Sequence, residues 1–307
     1  MINSQPKFNN IIILAFVGMC LAWGFSWYSM KLQINSPVEA EVSLFYRFTI
    51  VSMLMFLVCF FTKTRLKLKK DEWSRLPFIA LCNFSLNFFI GYHATKVIAS
   101  GIIAVIFSLS VITSELIKSY LDNHKMSKKI IVSGIFGTIG LIFFVTPSLI
   151  DSQKPIPAVG FVYAFCMMLV FSFGNYLVAN NNKQNRTPLF TTISYCSAFG
   201  ALYFLLYIVI AGYKFSFDYS VTYVGSLIYQ IFFASIMAFI CLYYLIAQIG
   251  AAKANYTALV YPTIALTVSS FFENYKFNVL NIMGLLLIIM ALSFDFFYNK
   301  FYKSHLR

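Results

Sequence analysis

The sequence predicts an all-α integral membrane protein: ten transmembrane helices as two inverted five-helix repeats. Three observations carry that prediction. The 307-residue chain is 60% hydrophobic and only 11% charged, with a mean hydropathy of +0.78. Its apolar residues fall into ten continuous stretches, each about long enough to cross a bilayer as a helix. Its basic residues crowd into alternate gaps between those stretches.

The stretches span residues 11–30, 42–61, 76–95, 101–120, 130–147, 158–179, 189–211, 224–246, 254–272 and 278–298. Backbone groups in hydrocarbon must find partners within the chain, so each stretch is expected as a helix. A β-barrel would need shorter strands alternating apolar and polar residues, and these runs are continuous. The first stretch lacks a strongly basic leader and a small-residue cleavage site and runs into Trp23, Trp27 and Lys31. It reads as a retained span, not a signal peptide.

Orientation follows from the charges. Lys7 precedes the first stretch, and Lys63, Arg65, Lys67, Lys69, Lys70 and Arg75 fill the gap after the second. Lys118, Lys125, Lys128 and Lys129 flank the gap after the fourth, Lys183 and Arg186 follow the sixth, Lys253 the eighth, and Lys300, Lys303 and Arg307 the tenth. The other gaps hold only Lys31, Lys96, Lys154, Lys214 and Lys276. This positive-inside asymmetry predicts a multi-pass protein with both termini cytoplasmic, and the basic, Lys/Asn/Ile/Phe-rich composition points to an AT-rich bacterial genome and so to a bacterial inner membrane. The +13 net charge therefore suits anionic lipid headgroups, and nucleic acid is not an expected partner.

Pro147, Pro155 and Pro157 bracket the middle of the chain. They divide it into a first repeat (1–147), a connecting loop (148–157) and a second repeat (158–307). With five spans each, copies must sit upside down relative to each other. Setting Tyr92–Ala104 against Tyr244–Tyr256 aligns Tyr92 with Tyr244 and Ala99 with Ala251. Inverted repeats place the substrate site near the midplane, where the halves meet.

Several chemistries lack their signatures. The six cysteines all lie in apolar stretches without C-x-x-C spacing, which removes a disulfide framework and the usual zinc patterns. No phosphate-binding Gly-rich loop with its lysine occurs, nor H-E-x-x-H or G-x-S-x-G, and the three histidines are scattered. Neither an enzyme nor a cofactor is expected.

Four segments resemble the EamA-type, ten-helix branch of the drug/metabolite transporter superfamily. Ala22-Trp23-Gly24 running to Lys31 is similar to that family's opening motif. Tyr46-Arg47-Phe48 matches an arginine followed by an aromatic. Tyr92-His93-Ala94 through Ser100-Gly101 resembles its third-to-fourth turn, and Gly250 through Ala254 with Tyr261-Pro262 its eighth-to-ninth turn. Ser110 departs from the pattern, standing where the first half usually carries the matching proline. The resemblance implies a secondary transporter working by alternating access, with export of an amino acid or related metabolite first in line. Uptake of a nucleotide, cofactor or nucleotide sugar is the alternative. A membrane-embedded enzyme or a scaffold remains a remote reading. The expected partners are a small-molecule substrate, the bilayer and, optionally, a second copy in a homodimer.

Site candidates are polar or aromatic groups inside spans. Arg47 lies about 9 Å into its helix at 1.5 Å per residue. It is placed to bind a carboxylate bidentately. The structural alternatives are snorkelling or pairing with Glu41. Glu115 is the candidate proton-coupling carboxylate, against an intrahelical pair with Lys118 three residues on. Trp23, Trp27, Tyr92, Tyr244 and Tyr261 are candidate cavity walls, or packing residues. Asn83 and Asn87, and Ser110 with Ser108 and Ser114, form polar stripes that either bond between helices or line a cavity. For His93 a packing or hydrogen-bonding role is favoured over a proton relay. Gly134, Gly137 and Gly140 are expected to admit close helix packing.

Overall fold

The computed structural model describes residues 10–123, 128–150, 157–183, 187–250, 254, 257–258, 260–273 and 278–302. Labelled in chain order, the described helices are α1 (Asn10–Ile34), α2 (Ala40–Phe61), α3 (Lys70–Val97), α4 (Ser100–Leu121) and α5 (Lys128–Ile150). They continue as α6 (Ala158–Lys183), α7 (Leu189–Ala211), α8 (Val221–Ile249), α9 (Tyr261–Phe272) and α10 (Val279–Tyr302). Seven of them, α1–α4 and α6–α8, are long and apolar enough to cross a membrane. Shorter apolar stretches, Gly134–Phe144 and Val279–Ala291, lie in α5 and α10. Lys154 and Pro155 of the expected connecting loop, and Ala251, Ala252 and Lys253, lie outside the described residues.

Several helices outrun their apolar stretches. α3 begins in the basic linker because Glu72 accepts the Lys69 backbone N–H at 2.7 Å, closing a capping box. Arg65 grips the same carboxylate at 3.0 and 2.6 Å, and the Thr187 hydroxyl donates to it at 3.0 Å. This end of the bundle, carrying the Thr62–Lys69 linker, is called the basic end below. α5 continues past Pro147 to Ile150, beyond the expected boundary, since a proline so near a helix end disrupts little of it.

Two long helices contain a π-helical segment, Leu81–Leu86 in α3 and Phe232–Met237 in α8. Two others are interrupted, α4 at Leu109 and the run into α9 at Val260. In both cases the matching features lie 151 positions apart. Packing follows the same exchange. α2 lies along α7, α5 along α10, and α4 against α9. α1 packs on α8 and α9, as α6 packs on α3 and α4.

Small residues set the closest approaches. A Cβ on Gly140 would sit 2.8 Å from the Gly284 carbonyl, and one on Gly284 2.5 Å from the Gly140 carbonyl, so α5 and α10 touch backbone to backbone. Gly24 beside Trp23 has the same role, because a Cβ there would meet Ile264 of α9 at 2.6 Å. Apolar side chains on the outer faces, such as Phe60, Phe61, Leu57 and Ile210, are exposed as lipid-facing residues should be.

Candidate functional site

A cavity lies where both π segments face the middle of the bundle. α1 supplies Trp23, Ser26, Trp27 and Met30, whose 3- and 4-residue spacing puts them on one helix face. α2 supplies Arg47, α3 supplies Asn87 and Phe88 just past its π segment, and α4 supplies Phe107 just before its interruption. Met167 and Phe171 of α6, with Gln230 and Ala234 of α8, complete the lining. The volume is about 40 Å³. That is space for roughly three waters, so a metabolite requires the helices to part. Two larger hollows, of about 410 and 320 Å³, lie on outer faces among exposed Phe78 and Phe173, and Ile50 and Ile228. They lie apart from the central cavity, the first lined also by Arg75, Asn180 and Asn181.

One wall is aromatic. Trp23 stands edge-on to Phe171, Tyr261 and Phe239 at centroid distances of 5.5, 6.0 and 6.3 Å. Trp27 meets Phe107 at 5.4 Å, and Phe107 meets Phe171 at 4.7 Å. The Trp23 indole N–H donates to the Ala234 carbonyl at 3.3 Å, a group inside the α8 π segment. The opposite wall is polar. Arg47 is 1% exposed, so it does not snorkel. Its Nε donates to Ser235 Oγ at 2.7 Å, and that hydroxyl donates to the Gln230 carbonyl at 2.8 Å, five residues back across the π segment. The guanidinium lies over the Phe88 ring at 4.3 Å and near Phe48 at 5.1 Å. The Gln230 amide donates to the Ser26 carbonyl at 2.8 Å.

Arg47 is not paired with Glu41. That carboxylate binds His93 instead, at 3.1 Å, and among the described residues no carboxylate lies within ion-pairing distance of Arg47. Arg47 Nη2, Asn87 Oδ1 and Trp27 Nε1 are buried and make no hydrogen bond within the protein. Two donors and one acceptor are therefore left over on the lining of one small cavity. Unpartnered buried groups are costly, each by about 1–3 kcal/mol, so each calls for an explanation, and nine more such atoms lie off the lining among the described residues.

The polar stripes split between two roles. Asn87 reaches the cavity, whereas the Asn83 amide donates to Asn175 at 3.2 Å and to the Tyr243 hydroxyl at 3.3 Å. The Ser110 carbonyl accepts from Ser172 at 3.4 Å, and Ser172 meets Thr113 at 2.7 Å, so these groups tie α4 to α6. Tyr92 is fully buried beside Arg47 and donates to Gln33 of α1. Tyr261 stands behind Trp23 as part of the aromatic wall. Tyr244 is half-buried and outside the lining. The 151-residue offset pairs Tyr92 with Tyr243, which is buried. Glu115 lies away from the cavity, 3.9 Å from Lys118 on its own helix. Met30, Met167, Gln230 and Ser235 were not singled out by sequence. The signal available for the last two was a polar residue isolated inside an apolar run.

Residues 10–146 and again 160–295 match the EamA-like transporter family. Among curated relatives, the uncharacterized transporter YyaM of Bacillus subtilis (strain 168) is 22% identical over 93% of both chains. An uncharacterized transporter of Buchnera aphidicola subsp. Schlechtendalia chinensis is 22% identical over 92% of this chain and 91% of its own. A chain in a solved crystal structure superposes with a TM-score of 0.69 over 95% of this chain and 98% of that one, at 12% identity, a likeness of fold alone. The two family matches span most of the sequence, and the chain belongs to the EamA-like transporter family.

Proposed function

We propose that this chain is a secondary carrier for a small carboxylate-bearing metabolite, an amino acid or a related compound, moved by alternating access through the central cavity. The observation that carries the reading is Arg47, a buried cation without a carboxylate partner, with Nη2 left over beside Asn87 and an aromatic wall. A guanidinium offers a carboxylate two parallel donors, Asn87 offers an acceptor to an ammonium or hydroxyl, and the rings cover an apolar body. The phosphate-bearing alternative would need several cations, and Arg47 is the sole basic residue among the lining side chains.

Ten spans, both termini at the basic end, two inverted repeats divided at 148–157, and a bacterial inner membrane belong to the same reading. The paired π segments, the paired helix interruptions, the exchange-symmetric packing and the twofold family match support it. Closure of the cavity down to a few waters suits an occluded state, with export as the first direction to test. Purified protein in proteoliposomes, loaded with labelled amino acids, organic acids or nucleotides and assayed with and without a proton gradient, tests the substrate class. Saturable movement of amino or organic acids is expected. Movement of nucleotides alone would sink the proposal.

A further inference from the structure

Outside the cavity, among the described residues, one buried carboxylate has an atom left over. Glu41, in the first turn of α2, is 1% exposed, and its Oε2 has no hydrogen-bond partner. Its Oε1 meets His93 Nε2 of α3 at 3.1 Å, and that ring is partly open, with Phe89 at 4.6 Å and Tyr163 of α6 at 6.2 Å. The pair sits above the cavity on the side away from the basic end. Glu41 is six residues from Arg47, about 9 Å along α2. His93 follows Tyr92, which lies beside Arg47 and donates to Gln33. One turn on, the Thr95 carbonyl accepts from Lys31 at 2.8 Å. The end of α3 is thus tied to α1 by two bonds and to α2 by this pair, at the end of the bundle opposite the basic one.

We propose that the cavity has its mouth at this end and that the Glu41–His93 pair is a proton-sensitive latch, holding the mouth closed and tightening when His93 takes up a proton. A neutral imidazole gives Glu41 one hydrogen bond, and Lys96, one turn along α3, opposes its charge. A protonated ring turns the same contact into a charge-assisted bond, roughly twice as strong. An open mouth admits water to the carboxylate and removes that advantage. A charged ring therefore favours the closed state, and acid favours closure.

The charged and titratable groups facing Glu41 are His93 and Lys96 on α3, Tyr213 beyond the end of α7, and Glu39 beside it. The Glu41 charge raises the Tyr213 phenol above its ordinary value, further from neutrality. Histidine is the side chain in this group whose charge ordinarily changes between about pH 5 and pH 8.

The test needs no substrate, so it stands or falls apart from the transport reading. Three tryptophans occur, Trp23 and Trp27 in the cavity and Trp73 at the basic end. In W73F protein, acrylamide quenching of fluorescence reports water access to the cavity. Quenching is expected to fall as pH is lowered from about 8 to about 5.5, and H93Q and E41Q on the same background to abolish that dependence. E41Q keeps the contact without the charge and serves if H93Q does not fold. Quenching that ignores pH in W73F protein, or a pH dependence that survives in a folded H93Q or E41Q protein, overturns the proposal.

Discussion

Replacing Arg47 with methionine separates a binding arginine from a folding one. In the structure Arg47 is buried, bonded to Ser235 at 2.7 Å and stacked on Phe88 at 4.3 Å. Losing the charged hydrogen bond costs about 1.5–3 kcal/mol and losing the desolvated ring contact about 2 kcal/mol. Removing a buried ion returns several kcal/mol of desolvation, and no partner carboxylate is stranded. Ser235 keeps its bond to the Gln230 carbonyl. The terms nearly cancel, so R47M protein should unfold within about 2 kcal/mol of the parent in detergent. Substrate, by contrast, loses a charge-assisted contact with nothing in exchange. Apparent affinity in proteoliposomes should fall by about tenfold to a hundredfold, the equivalent of 1.5–3 kcal/mol. R47K should recover little, because an ammonium lacks the planar fork. A folded R47M protein that transports like the parent, or one that fails to fold because Arg47 is needed for packing, would refute the reasoning.

Other variants follow from the same geometry. W27F should weaken substrate binding several-fold with little effect on unfolding, since Trp27 Nε1 has no partner in the protein, whereas W23F should also cost about 1 kcal/mol of stability through its bond to Ala234. G284A should destabilise by roughly 1–3 kcal/mol in thermal unfolding, because its Cβ would press on the Gly140 carbonyl, which is backbone and cannot turn aside. E72A, which takes the carboxylate from Arg65, Thr187 and the Lys69 backbone N–H, should cost about 2–3 kcal/mol, less than a fully buried pair because Arg65 is a third exposed. E115Q should leave transport and its dependence on a proton gradient unchanged within about twofold, given an exposed-type pair with Lys118 worth under about 1 kcal/mol.

Helix positions were legible in the sequence because hydrocarbon demands long apolar runs, and runs such as 189–211 were matched to the residue. The extra turns of α3 were not, because Lys70, Asp71 and Glu72 belong to a helix held by capping and an ion pair instead of by burial in lipid. Arg47 stood out since an arginine inside an apolar run has few structural uses. What it contacts did not. The π segments carry no composition signature, yet the one in α8 presents Ser235 to the guanidinium, and their 151-residue offset pairs Tyr92 with Tyr243 instead of Tyr244. The interruption at Leu109 was equally hidden, because no proline marks it and only the loss of backbone bonding does. The Glu41–His93 contact joins residues 52 positions apart, a distance that helical spacing cannot predict.

The most direct test of the carrier reading is exchange across proteoliposome membranes. Vesicles loaded with an unlabelled amino or organic acid should accelerate entry of the labelled compound, as an alternating-access carrier returns faster when loaded, and the matching amide or ester should not. Acceleration by the acid alone is the predicted result. Equal exchange of acid and ester, or no acceleration by any carboxylate in protein verified as folded, would contradict a carboxylate held by Arg47.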